Sequence, residues 1–112
     1  MSNLELKYRV LKLLECQPNL TQRQAAKELG ISLGKTHYVI KSLIDVGWIK
    51  FENFKRSDNK LGYSYVLTPS GIAEKAAITS EFLIRKTKEY NDLRKEIKFL
   101  QEEVQNHKDK IN

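Results

Sequence analysis

The sequence predicts a mainly α protein with one small β-hairpin, an α+β class, whose last third is a long helix of coiled-coil type. Three observations predict it. Residues 21–49 spell two short helices around a glycine turn. Two runs rich in aromatic and β-branched residues flank a polar stretch at 55–62. Apolar residues then recur every three or four positions from Tyr90 to Val104, with the seam weakened by Lys86 and His107 toward its ends. A chain of 112 residues, 40% hydrophobic, can form one small domain and an extension but not two full cores.

The first helix is expected over Asn3 to Cys16, with a stripe at Leu6, Val10, Leu13 and Leu14, and Gln17-Pro18-Asn19 stops it. Cys16 follows Leu11 and Leu14, so a buried thiol is expected. As the single cysteine, it excludes an internal disulfide and a cysteine-only zinc site. Leu20 is expected to add one rung to a small sheet. Thr21 and Gln24 have capping-box spacing, so a second helix starts there. Ala25, Ala26 and Leu29 give that helix a small apolar face, and Gly30 ends it in a conformation that avoids a Cβ clash. Ser32 then caps a third helix, whose inward face is Thr36, Val39, Ile40 and Leu43. Its opposite face carries Gly34, Lys35, His37, Tyr38 and Lys41, small, cationic and hydrogen-bonding residues that suit a DNA groove. Two helices joined by such a turn make a helix-turn-helix.

Trp48 to Phe54 is expected to be a strand, with Trp48 anchoring it to the core. Lys55 to Gly62 is a polar, basic turn. Tyr63 to Leu67 returns as a second strand, with Tyr63, Tyr65 and Leu67 alternating onto one face. Two strands around a basic tip form a wing. Thr68 and Pro69 then occupy the preferred cap and first-turn positions of another helix.

Helix, helix-turn-helix, basic hairpin and the segment Val66-Leu67-Thr68-Pro69-Ser70-Gly71 together resemble the winged-helix domain of the MarR family of bacterial transcriptional regulators, over roughly residues 4 to 75. Within that family the chain looks most like short regulators associated with extracellular polysaccharide (EPS) gene clusters. The resemblance implies a winged helix-turn-helix domain followed by a C-terminal coiled-coil helix, and a dimeric, sequence-specific regulator of transcription. It places the recognition helix on Leu33 to Val46, with Ser32, Gly34, Lys35, His37, Tyr38 and Lys41 toward DNA. Backbone contacts fall at the start of the second helix, Thr21, Gln22 and Arg23. Wing contacts fall on Lys55, Arg56, Asn59 and Lys60. Family wings commonly carry Asp and, two residues later, an Arg that enters the minor groove; this chain has Asp58 and Lys60. Lysine keeps the charge and loses the planar fork, which favours phosphate contact. Larger members use an extra N-terminal helix to dimerise and enclose ligands, and without it no small-molecule effector pocket is expected.

Dimerisation is expected in the C-terminal segment. With Tyr90 at heptad position a, the a positions are Leu83, Tyr90, Ile97, Val104 and Ile111, and the d positions are Lys86, Leu93, Leu100 and His107. Ile97 and Val104 at a, with Leu93 and Leu100 at d, favour two parallel strands. Upstream, Ile72, Ala73, Ala76, Ala77, Ile78, Phe82, Leu83 and Ile84 are expected to pack partly on the winged domain as a root. Phe99 falls at position c, outside the seam. The expected domains are 1–75 for DNA and 76–112 for dimerisation.

Charge agrees with that division. Residues 1–75 carry 12 Lys/Arg against 7 Asp/Glu, net +5, whereas 76–112 carry 8 against 7, net +1. The cationic excess lies where phosphate would be met. No apolar run reaches the length of a signal peptide or membrane span, so a cytoplasmic protein without a membrane partner is expected. The only histidines, His37 and His107, lack ligand-spaced neighbours, so neither a metal, a cofactor nor an enzymatic activity is expected. Two function classes stay open. One is a homodimeric regulator on double-stranded DNA. The other is a winged-helix protein-protein adaptor on a coiled coil, for which the cationic recognition face and wing are a poor fit.

Overall fold

The computed structural model describes residues 3–55 and 61–111. In chain order they form α1 (Asn3–Cys16), α2 (Gln22–Leu29), α3 (Leu33–Asp45), β1 (Ile49–Lys55), β2 (Leu61–Leu67) and α4 (Pro69–Ile111). This is the mainly α fold with one antiparallel hairpin that the sequence predicts, a winged helix-turn-helix domain followed by a long C-terminal helix. The chain divides into two compact units, Met1–Thr79 and Ser80–Asn112.

The core of the first unit gathers Leu6, Val10, Leu11 and Leu14 of α1, Leu29 of α2, Val39, Ile40 and Leu43 of α3, Ile49 and Tyr65 of the hairpin, and Ile78 of α4. Thr36 is the buried polar residue in it, and its Oγ1 donates to the Ser32 carbonyl at 2.8 Å. That bond removes the penalty of a buried unpaired hydroxyl. The α1 stripe runs through Leu11 rather than Leu13, which is only partly buried at the edge of the core. Cys16 is exposed, contrary to the expected buried thiol. It lies two residues past Leu14, about 200° around the helix, and lines a surface groove with Tyr8, Leu13 and Leu29.

Both helices of the helix-turn-helix end in the same way. Ile31 N–H donates to Ala26 O and Gly30 N–H to Lys27 O; Trp48 N–H donates to Leu43 O and Gly47 N–H to Ile44 O. These are paired Schellman bonds, and they place a left-handed residue after each helix, Gly30 at φ 70° and Gly47 at φ 81°. Trp48 therefore closes α3 and precedes the strand it was expected to open.

The hairpin pairs Ile49 with Leu67, Phe51 with Tyr65 and Lys55 with Leu61. Its strands span Ile49–Lys55 and Leu61–Leu67, displaced by one or two residues from the expected bounds. Tyr65 is buried and Tyr63 half-buried against the core, as their alternation predicts. Leu20 adds no rung. The Pro18 carbonyl instead accepts from Tyr65 N–H at 2.9 Å, and proline, lacking an N–H, cannot return a second bond.

The start of α4 is fixed by an unusually close contact. Thr68 Oγ1 accepts from Gly71 N–H at 3.0 Å and donates to the Gly47 carbonyl, while Thr68 N–H donates to Trp48 O at 3.0 Å. A Cβ on Gly71 would stand 1.8 Å from Trp48 O and 2.7 Å from its carbonyl carbon. Only glycine fits. Beyond it, Ile78 is buried and Lys75 reaches Glu15 of α1 at 2.8 Å. The expected root is narrower than predicted: Ile72, Ala73, Ala76, Ala77, Leu83 and Ile84 are exposed, and Phe82 is half-buried. Residues 71, 75 and 78 fall on one edge of the helix, so only that edge meets the core.

In the second unit every described residue except Phe82 is exposed, including Phe99. The apolar positions Leu93, Ile97, Leu100 and Val104 keep 54, 45, 50 and 56% of their surface open. Lys86 pairs with Glu89 at 3.2 Å, and the Arg94 guanidinium lies over the Tyr90 ring at 5.7 Å.

Two glycine substitutions separate close approach from helix entropy. Gly71→Ala forces backbone against backbone and is expected to lower unfolding free energy by about 1–3 kcal/mol or more. Gly34→Ala, inside α3 with no atom within 4 Å of the added methyl, is expected to gain about 0.5–1 kcal/mol. Urea unfolding of the two variants beside the parent checks both signs.

Candidate nucleic-acid interface

Helix α3 forms because Ser32, in extended conformation, caps it by accepting from Lys35 N–H at 3.1 Å. Its buried stripe is Thr36, Val39, Ile40 and Leu43, as expected. With that stripe fixed in the core, Ser32, Gly34, Lys35, His37, Tyr38 and Lys41 are all exposed. Tyr38 has 74% of its surface open. The helix thus presents a polar face with cations and an exposed phenol, bordered by the exposed apolar residues Leu33 and Ile44.

The start of α2 borders this face. The capping box is complete: Thr21 Oγ1 accepts from Gln24 N–H at 3.1 Å, and Thr21 N–H donates to Gln24 Oε1 at 2.9 Å. The box engages Thr21 and Gln24, and leaves the N–H groups of Gln22 and Arg23 without intrahelical acceptors. Such orphan donors, at the positive end of the helix, suit a phosphate.

Two side chains have partners that the sequence reading did not name, although the i,i+4 spacing of Lys41 and Asp45 was the signal that could have found one of them. Lys41 lies 3.7 Å from Asp45, one turn on, so this cation already faces a carboxylate. Gln22 bridges α3 and the hairpin: its Nε2 donates to Tyr65 Oη at 3.3 Å, and its Oε1 lies 3.0 Å from His37 Nδ1. Gln22 and His37 are 15 residues apart and Tyr65 lies 43 residues beyond Gln22. No periodic signal could have linked them.

The wing is anchored by aromatic packing. Phe51 stacks on Tyr63 with centroids 5.3 Å apart and meets Tyr65 edge-on at 5.3 Å. Trp48, half-buried against the core, has the Lys7 ammonium 5.6 Å from its ring centroid. Of the expected wing contacts, Lys55 closes β1 through its backbone. Its side chain, and the whole of Arg56, Asn59 and Lys60, lie outside the described residues.

Among the described residues no group of three or more His, Cys, Asp and Glu could hold a metal ion. No helix among them is long and apolar enough to cross a membrane.

A capped helix-turn-helix, an exposed cationic third helix and an aromatic-anchored hairpin define a winged helix-turn-helix domain. Residues 4–50 match a family model described as winged helix-turn-helix DNA-binding. No curated protein matches the chain. Among solved structures, the adhesin competence repressor AdcR from Streptococcus pyogenes is similar at 26% identity and TM-score 0.56, over 83% of this chain and 65% of that one. A mutant of MepR from S. aureus is similar at 21% identity and TM-score 0.58, over 79% and 63%. A MarR/EmrR family transcriptional regulator from Acinetobacter sp. ADP1 is similar at 20% identity and TM-score 0.55, over 94% and 75%. The chain therefore has the fold of MarR-like transcriptional regulators. It covers less than two thirds of the length of the first two of these relatives.

Proposed function

We propose that this chain is a bacterial, cytoplasmic transcriptional regulator that binds double-stranded DNA in a sequence-specific manner as a homodimer. The observation that carries the proposal is the division of α3 into a buried stripe and an exposed face of Lys35, His37, Tyr38 and Lys41. A helix held this way offers side chains to base edges in a major groove, while the orphan N–H groups of Gln22 and Arg23 meet the flanking backbone. Ser32 and Gly34 border the approach, and Thr21 supports it. The wing residues Lys55, Arg56, Asn59 and Lys60 serve the adjacent phosphates. Residues 1–75 bind DNA. The resemblance to regulators of extracellular polysaccharide clusters extends the proposal to those genes, and a footprint on DNA flanking its own gene tests that extension.

Residues 76–112 pair in a parallel coiled coil through Leu83, Tyr90, Leu93, Ile97, Leu100, Val104 and Ile111. Their half-open side chains support this reading, because apolar residues recurring at heptad spacing lose that exposure against a second helix. Flanking charges set the direction. In a parallel pair, Glu89 meets Arg94 and Glu103 meets Lys108 of the second copy; an antiparallel pair sets glutamates against glutamates. Parallel pairing leaves both winged domains at one end of the coil, as a two-fold operator requires.

Salt dependence tests the DNA surface. Lys35→Ala, Arg56→Ala and Lys60→Ala are each expected to weaken binding to specific and random duplexes alike, and to reduce the magnitude of the salt slope by about one. Tyr38→Ala is expected to erode preference between sequences more than total affinity. Titrations across ionic strength decide, and a parent protein with no salt-dependent binding to random duplex would favour an adaptor.

Charge exchange tests the coil. Arg94→Glu is expected to lower the melting temperature of the dimer at low salt, since each exposed pair contributes about 0.2–1 kcal/mol. Adding Glu89→Arg should recover much of the loss. A double variant no more stable than the single one overturns the parallel register.

A further inference from the structure

We infer that Gln22 is a specificity-determining positioning residue, which holds the His37 imidazole in one tautomer and orientation so that its Nε2 meets a base edge as a hydrogen-bond acceptor. This inference rests on the DNA-binding reading above. It assigns Gln22 a task different from phosphate contact by its side chain.

The geometry begins at a fixed point. Tyr65 is 5% exposed, its N–H donates to Pro18 O at 2.9 Å, and its ring meets Phe51 at 5.3 Å and Tyr63 at 6.3 Å. Its hydroxyl is therefore an anchored group. Gln22 Nε2 donates to that hydroxyl at 3.3 Å, which turns the amide oxygen toward His37 Nδ1 at 3.0 Å. An amide oxygen only accepts, so Nδ1 carries the proton of the neutral ring. Nε2 is then left with its lone pair. On the exposed face of α3, that lone pair can accept from an exocyclic amine, the N6 amino group of adenine or the N4 amino group of cytosine, both of which line the major groove. It has no favourable partner at the O6 and N7 acceptors of guanine or the O4 of thymine. A freely rotating histidine would carry no such bias, because either nitrogen could hold the proton.

The relay also joins three elements: β2 through Tyr65, the start of α2 through Gln22, and α3 through His37. Movement of the hairpin strand at Tyr65 is thereby felt at the base-reading ring.

The test has a spectroscopic arm and a DNA arm, both on the full chain. Nitrogen-15 spectra of the imidazole at alkaline pH, assigned with His37→Ala, are expected to show the Nδ1–H tautomer of His37 dominant in the parent. Gln22→Ala should move it toward the ordinary mixture. Gln22→Glu should keep it, because a carboxylate also only accepts, and Tyr65→Phe should shift it part of the way. In selection from a random-sequence duplex pool at the same pH, Gln22→Ala should lose about three- to tenfold in preference at the base position that His37→Ala also relaxes. The double variant should lose no more than His37→Ala alone. A parent spectrum identical to that of Gln22→Ala overturns the relay, as does additive loss of preference in the double variant. A parent that binds no duplex at any salt overturns the DNA-binding reading, while the imidazole spectrum still decides whether Gln22 orients His37.

Discussion

The Trp48 carbonyl is the point on which the winged domain is assembled. It accepts from Thr68 N–H, and the Cα of Gly71 lies against it so closely that no side chain could intervene. Four elements meet there: the end of α3, the start of β1, the end of β2 and the start of α4. Thr68 supplies the other half of the junction, since its single hydroxyl both caps α4 and bonds the Gly47 carbonyl. Backbone groups drawn together at such a crossing lose access to water in part, and here they satisfy one another. The orientation of the hairpin, and with it Tyr65, follows from this junction.

What positions the exposed face of α3 is ordinary packing. The buried stripe of α3 determines which residues face outward, so the exposed set is a consequence of Thr36, Val39, Ile40 and Leu43 finding the core. The two Schellman ends then set where α2 and α3 stop. Polar contacts are layered on this apolar frame, and Gln22 shows how: it is half-buried at a helix start, where one amide can reach both the hairpin and the outer helix.

Local features of the fold were legible in the sequence because they depend on neighbours in the chain. The Thr21 box, the Ser32 cap, the Gly30 turn, the α3 stripe and the Thr68-Pro69 start all rest on residues close to one another in the chain. Features set by distant contacts were not. Leu11 displaced Leu13 in the core, and Cys16 emerged on the surface, because the angle at which α1 meets the other helices is a tertiary property. The strand rung fell to Pro18 rather than Leu20 because β2 approaches from 47 residues away in the chain, at Tyr65. The requirement for glycine at position 71 was hidden in a motif whose pattern is visible but whose cause, a carbonyl from another element, is not. In the candidate interface, exposure of the α3 residues was readable from periodicity. The pairing of Lys41 with Asp45 was readable from its i,i+4 spacing, whereas that of Gln22 with His37, 15 residues apart, depends on how α2 and α3 pack.

The Lys41–Asp45 pair has a consequence for how the third helix meets a polyanion. A carboxylate near the C-terminal end of a helix is opposed by the helix dipole, and the ammonium one turn earlier offsets that opposition. An anion approaching this face would meet a Lys41 already shared with Asp45 rather than an empty site. Its gain is a difference between two attractions. Without the lysine, Asp45 is left uncompensated on α3, whereas without the aspartate the full charge of Lys41 faces solvent. The pair therefore works as a trimmed charge. At 3.7 Å between two exposed side chains the trimming is partial, so Lys41 contributes less than a full positive charge to the field of this face.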